Sequence, residues 1–457
     1  MEDNKPVQNP LREIVDPFVN LIKAPRALWG INLSYLLEGI TYFGILSLLA
    51  MYFNDLGLND IQAGQMVGIQ TAGITLAMLF LGATVDWIGV RKALLISLST
   101  MLVGRVLLAL APQIGAPGLW QKAHIVAMLG ILGVVLGYGI YQPACYAAVK
   151  QFTDKKTSAM GYAMLYAIMN LGGFLPGLIS PPIRKNHGIV GVYWVYVALT
   201  VAGILVVAFI LSKKTVEMAI ANAREGQDEP VSEPETNETQ STKEKIVYYL
   251  KNFPVKDGRF MFFIFILIPV QTLFAHNWLT LPMYFERAFS GVVSNNFEFF
   301  VNFNPILIFI LAPMVAALTA QKDTYKMMIL GTTVMALPTF LLAIGPNIYS
   351  VFGYLIIMTI GEAIWQPRFL QWVAEIAPKN MTGIYMGIGQ FPWFLTKVIT
   401  SLYSGWFLTK YCPAGVTPEQ TNTETMWLIY GFIAIISPIA LLIARKWMGK
   451  GLEKQKA

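Results

Sequence analysis

Cysteine, histidine and charge are all scarce in this sequence of 457 residues: it holds two cysteines, three histidines and only 13% Asp, Glu, Lys and Arg. Soluble globular domains carry about a quarter charged residues, so the composition excludes that class. No metal-ligand cluster of His and Cys is found along the chain, and neither a metal nor a cofactor is expected. Neither G-x-S-x-G nor G-x-x-x-x-G-K-[ST] occurs, which removes nucleophile-elbow hydrolases and ATP-driven pumping within the chain. No enzymatic activity is expected. The cysteines, Cys145 and Cys412, fall at different depths in the reading below, which argues against a disulfide between them.

Apolar sequence is abundant instead. Hydrophobic residues make up 55% of the chain and mean hydropathy is +0.55. Stretches of about 20 apolar residues can cross roughly 30 Å of hydrocarbon as helices. Twelve are read, at 27–53, 61–85, 93–111, 123–149, 159–181, 191–212, 259–286, 298–320, 325–345, 350–376, 381–408 and 425–446. The expected fold class is an all-α membrane protein with 12 transmembrane helices in two six-helix bundles, 27–212 and 259–446. A cytoplasmic amphipathic N-terminus, 1–26, precedes the first span, and no cleavable signal peptide is expected there. Residues 213–258 form a cytoplasmic linker rich in Glu, Pro, Ser and Thr, and 447–457 a cytoplasmic tail. Within the linker, Thr242–Phe253 has apolar residues at helical spacing among lysines, suited to lying along a membrane surface.

The net charge of +7 does not mark a nucleic-acid protein, because the basic residues sort by membrane side. Of 33 Lys and Arg, the outer loops hold only five (Lys122, Arg184, Lys185, Arg287 and Lys410), and most of the others are cytoplasmic. Cytoplasmic excess of Lys and Arg sets orientation, so both termini are expected in the cytoplasm of a multi-pass plasma (inner) membrane protein.

Six spans, a central linker and six more spans resemble the major facilitator superfamily. The loop between spans two and three carries Gly82, Asp86, Gly89, Arg91 and Lys92, matching that superfamily's G-x-x-x-D-x-x-G-x-R-K signature except for Trp87. These five residues are read as gating residues. Glycines permit the tight turn, and Asp86 can cap a helix or pair across a bundle interface. Longer segments are similar to the proton-coupled oligopeptide transporter (POT) family: GYGIYQPACYAAVKQF, GYAMLYAIMNLGGFLPGLISP, NFNPILIFILAPMVAAL and GEAIWQPRFLQWVAEIAPKNMTGIYMG. Against that family's first-span signature E-x-x-E-R-F-x-Y-Y-G, Glu38, Tyr42 and Gly44 are kept, while Tyr35 and Gly39 replace the first Glu and the Arg. Gln142 stands where the family places a fourth-span Lys. The resemblance therefore implies a divergent relative that has lost most of the charged peptide clamp on its N-terminal half.

Ionisable residues inside the spans carry the functional reading. A charge at a helix centre costs about 2.5 to 3.5 kcal/mol on insertion scales, so Glu38, Glu362 and His276 are read as proton-coupling candidates, each with a structural role as its alternative. Glu362 is also a candidate for a substrate amine, or for an ion pair with Lys397. Arg105 is read as packing or cavity with equal weight. The remaining substrate-binding candidates on the first half are Tyr35, Tyr42, Tyr138, Gln142, Tyr166 and Asn170. On the second half they are Asn277, Asn304, Trp365 and Gln390, with Lys397.

The function expected is a secondary active transporter of a small peptide-like or other amine-bearing solute, coupled to protons as a symporter by alternating access. A proton-driven efflux antiporter or a uniporter is the near alternative, and a non-transporting membrane receptor the distant one. The expected partners are the small-molecule substrate, protons and the lipid bilayer, with no nucleic acid and a monomeric state.

Overall fold

A computed structural model describes residues 26–82, 84–153, 158–225, 254–319, 322–376, 388–389 and 391–456. The N-terminal segment, most of the linker including Thr242–Phe253, and Gln390 lie outside the described residues. Among the described residues every regular element is a helix.

The first half holds α1 (Arg26–Asp55), α2 (Asp60–Leu81), α3 (Val90–Leu110), α4 (Lys122–Phe152), α5 (Ser158–Phe174), α6 (Pro176–Phe209) and the amphipathic α7 (Lys213–Glu225). The second holds α8 (Gly258–Ile266), α9 (Ile268–Leu279), α10 (Leu281–Ala288), α11 (Phe303–Thr319), α12 (Thr324–Ala336), α13 (Ile348–Ile376), α14 (Phe391–Tyr411) and α15 (Thr423–Lys456). Among the described residues, eight helical segments are long and apolar enough to cross a membrane.

Local chemistry sets several boundaries. Asn59 and Gln62 form a capping box that starts α2, and Asp257 and Asp323 cap α8 and α12 with their carboxylates. The stretch read as one span over 259–286 is three helices, with Pro269 and Pro282 each at the second position of its piece, where a missing N–H is tolerated. The Val270 N–H, which lies beside the first break, donates to Ser437 Oγ at 3.0 Å, the kind of side-chain rescue that backbone in lipid requires. In α6, Gly188 at φ 66° interrupts the helix and separates the fifth apolar stretch from the sixth.

The chain divides into two compact units. Unit 1 comprises residues 1–226, 277–320 and 401–421; unit 2 comprises 227–276, 321–400 and 422–457. In unit 1, α1 packs against α5 and α6, and α3 lies along α4. The α3–α4 approach depends on a glycine, since a Cβ on Gly104 would meet the Gly130 carbonyl oxygen at 2.6 Å. Small residues let apolar helices close to van der Waals contact where no hydrophobic effect drives them together. In unit 2, α12 packs on α13 and α15.

Candidate functional site

Glu38 lies on α1, a helix apolar around most of its circumference and buried along its length. Its carboxylate receives a forked pair of hydrogen bonds from Arg105 on α3, Nη1 to Oε2 at 2.9 Å and Nη2 to Oε1 at 2.5 Å. Both side chains are 1% exposed. Arg105 Nη1 also donates to Thr200 Oγ1 at 2.6 Å, and Thr200 donates to the Tyr196 carbonyl at 2.7 Å. Fork geometry of this kind is what makes Arg the usual partner for a desolvated carboxylate.

Four tyrosines gather on the adjoining face of α1 and α4. Tyr35 stacks on Tyr141 with centroids 6.2 Å apart, Tyr42 on Tyr138 at 4.7 Å, and the Tyr141 hydroxyl shares a 2.8 Å hydrogen bond with Ser34. Tyr35, Tyr42 and Tyr138 are thus brought together. Gln142 is half-buried on the same helix, whereas Tyr166 is exposed and its carbonyl accepts from Asn170 Nδ2 at 2.9 Å.

Unit 2 holds the other ionisable candidates. Glu362 is buried on α13, one turn before Trp365, whose indole N–H contacts Met335 Sδ at 3.1 Å. Lys397 is half-buried on α14, one residue after Thr396, which donates to Gln271 at 3.2 Å. His276 is fully buried, stacked on Tyr430 at 3.9 Å with Trp427 at its edge. Asn277 and Asn304 are buried in unit 1. Of the loop signature, Gly89 is left-handed at φ 79° and Arg91 Nε donates to the Leu211 carbonyl at 2.7 Å, which ties it to the C-terminal end of α6. Gly82 continues helical backbone at the end of α2 and Lys92 is exposed, while the Asp86 side chain lies outside the described residues.

Sequence reasoning missed two ion pairs in unit 1. Arg287, in the last turn of α10, forks onto Asp60 at the start of α2 with distances of 2.6 and 2.8 Å, and also donates to the Cys412 carbonyl at 3.1 Å. Burial opposes the Arg287 charge, but the Asp60 carboxylate more than compensates and holds its pKa above the ordinary value. Arg184 forks onto Glu298, donates to the Asn295 carbonyl at 2.9 Å and lies over the Phe297 ring at 4.5 Å. Both pairs join first-half helices to segments from the second half. The same seam is closed by backbone: a Cβ on Gly405 would meet the Asp60 carbonyl oxygen at 2.4 Å. Beside it lies a cavity of about 580 Å³ whose polar lining includes Asn54, Asp55, Glu286 and Arg287. Also missed were Asn32 and Gln70, whose buried amides have no hydrogen-bond partner among the described residues.

The sequence model of the Major Facilitator Superfamily matches residues 31–401. The chain belongs to the Major Facilitator Superfamily. Within the superfamily it is similar to the peptide transporter YePEPT of Yersinia enterocolitica, at 26% identity over 174 residues covering 36% of this chain and 32% of that one. That alignment spans about a third of the relative's length. It is 22% identical to dipeptide and tripeptide permease A of Proteus mirabilis over 93% of this chain and 95% of that one. The fold matches the crystal structure of a peptide transporter POT in complex with sulfate, with TM-score 0.70 and 18% identity over 93% and 96% of the two chains. A POT family transporter in complex with 5-aminolevulinic acid aligns with TM-score 0.65 and 16% identity over 93% and 97%.

Proposed function

We propose that this superfamily member is a secondary active transporter that moves a small amine-bearing solute, peptide-like or another metabolite, by alternating access and in symport with protons. The observation that carries the reading is the seam in unit 1, where the Asp60–Arg287 and Arg184–Glu298 pairs tie first-half helices to second-half segments. On the sequence topology of 12 spans with cytoplasmic termini, all four residues face outside. The seam is then the closed outer gate, and the cavity beside it the vestibule through which solute arrives once the pairs part. The named relatives carry peptides or, in one structure, hold 5-aminolevulinic acid, and both are amine-bearing.

In this reading Glu362 recognises the solute amine and exchanges it with a proton, with Lys397 as its alternative partner. Glu38 is already neutralised by Arg105, so it joins proton coupling only when Arg105 withdraws. His276, held against Tyr430, is the remaining coupling candidate. One charge crossing about 100 mV supplies roughly 2.3 kcal/mol, sufficient for modest accumulation. Gln142 in place of the family lysine favours solutes recognised by their amine over peptides held at their carboxylate. The protein is proposed to work as a monomer in the plasma membrane.

Reconstitution into liposomes tests the reading. An inward acid gradient should drive uptake of at least one member of a panel of dipeptides and small amino acids, and labelled solute should exchange in counterflow without a gradient. A chain that binds solute but supports neither process is a receptor and not a carrier.

A further inference from the structure

Trp120 combines two unusual properties. It is the non-glycine residue with positive φ, 61°, among the described residues, and its indole is 73% exposed. Backbone in that region is unfavourable for a bulky residue and persists only where its surroundings hold it. Here the Trp120 N–H donates to His124 Nδ1 at 3.2 Å, and the buried His124 ring is wedged against Met66 Sδ through Nε2 at 3.5 Å. The conformation holds the indole at the mouth of a groove of about 450 Å³ between α2 and α4.

The groove is lined by Ile69 and Gly73 from α2 and by Ile125, Leu129, Leu132 and Val135 from α4, among others, and every lining side chain is apolar or aromatic. The α4 stripe continues one turn toward the loop as Lys122, which is exposed on the same helical face. The groove therefore has a dry, hydrocarbon-compatible floor along membrane-spanning helices, an amphipathic ring at its mouth and a cation just above it. Tryptophan settles at the headgroup level of a bilayer, and a lysine there attracts anionic headgroups.

We propose that this groove binds one acyl chain of an anionic phospholipid, with the indole of Trp120 at the glycerol level and Lys122 beside the phosphate. Water cannot fill a groove without polar partners, and the flanking side chains Ile69, Ile125, Leu129 and Leu132 are all exposed. The inference requires only that these helices span a bilayer, and it stands or falls independently of what the protein carries.

The test uses the full chain in phosphatidylcholine vesicles into which phosphatidylglycerol with brominated acyl chains is titrated. The difference between wild type and Trp120→Phe isolates Trp120 among 11 tryptophans. Trp120 emission should be quenched at bromolipid fractions where random mixing leaves it largely intact, and brominated phosphatidylglycerol should outcompete brominated phosphatidylcholine about fivefold. Lys122→Gln should abolish that headgroup preference. Filling the groove with Gly73→Leu, or with Ile69→Phe on the exposed face where folding tolerates size, should return quenching to the random-mixing level. Random-level quenching in wild type overturns the proposal, as does equal quenching by the two lipids, or unchanged quenching in both filled variants.

Discussion

Glu38 and Arg105 are 67 residues apart in sequence and meet as a forked ion pair at 2.5 and 2.9 Å within the first-half helices. The sequence similar to the POT first-span signature carries Gly39 where that signature has an arginine. A guanidinium reaches the neighbouring carboxylate all the same, from a different helix. Thr200 accepts a further hydrogen bond from Arg105, and a pair this deeply buried has a direct consequence for stability.

Removing one partner leaves the other charge buried and uncompensated, which typically costs about 3 to 5 kcal/mol. Arg105→Met and Glu38→Gln should each lower the unfolding temperature in detergent, Arg105→Met the more because it strands a carboxylate. The double variant Glu38→Leu/Arg105→Met should recover most of the loss, since an apolar pair of similar volume is often neutral in place of a buried ion pair. Additive losses in the double variant would show that the two residues act separately.

The helices were legible because membrane crossing imposes a length and a hydropathy that survive any packing detail. Each of the twelve apolar stretches is helical over most of its described length. Internal breaks were less legible: Pro269 and Pro282 flag the interrupted 259–286 stretch and Gly188 falls in the gap between the stretches at 159–181 and 191–212, but the division of α5 from α6 at Leu175 falls inside a stretch read as one span. Partners were the least legible of all. Arg105 and Glu38, or Asp60 and Arg287 at a separation of 227 residues, face each other through helix rotation and tertiary packing, neither of which a one-helix hydropathy pattern records. The tyrosines Tyr35, Tyr42 and Tyr138 were singled out because they sit among segments similar to a known family, and their clustering with Tyr141 was not required by their spacing.

Cys412 reports on the Asp60–Arg287 lock. Its carbonyl accepts from Arg287, its side chain is fully buried, and burial pushes the thiol up to about 12. Below that pH the folded protein holds it protonated and unreactive. Arg287→Gln in a Cys145→Ser background should open the seam and return the thiol toward its ordinary value near 8.5. An impermeant maleimide added outside should then label Cys412 at least about tenfold faster, increasingly so from pH 7 to 8.5. Wild type should show little labelling over the same range. Equal labelling rates would mean that Arg287 does not hold the seam.

Arg184→Gln tests the second lock by the same readout. Glu298 is fully buried and Arg184 only partly so, so the substitution strands a carboxylate that can be relieved only by water reaching it. Cys412 labelling should rise less than with Arg287→Gln, because Arg184 bonds Glu298 and the Asn295 carbonyl, whereas Arg287 bonds the Cys412 carbonyl itself. Combining the two should exceed the sum if the locks open together. Simple additivity would mark them as independent contacts.

Glu362 separates recognition from architecture. It is buried on α13 in the same unit as Lys397 on α14, and its neutral isostere keeps the volume while removing the charge. A hydrogen bond to a charged group contributes about 1.5 to 3 kcal/mol, so Glu362→Gln should weaken binding of an amine-bearing solute by about ten- to a hundredfold. Glu38→Gln should leave that affinity within about twofold while lowering the unfolding temperature, because its partner is Arg105. Lys397→Met gives the diagnostic contrast. If Lys397 competes with the solute amine for Glu362, its removal should tighten binding and slow pH-driven exchange, because a proton no longer decides which partner the carboxylate takes. Isothermal titration in detergent and counterflow in liposomes measure the two effects separately. Unchanged affinity in Glu362→Gln would move amine recognition away from α13 altogether.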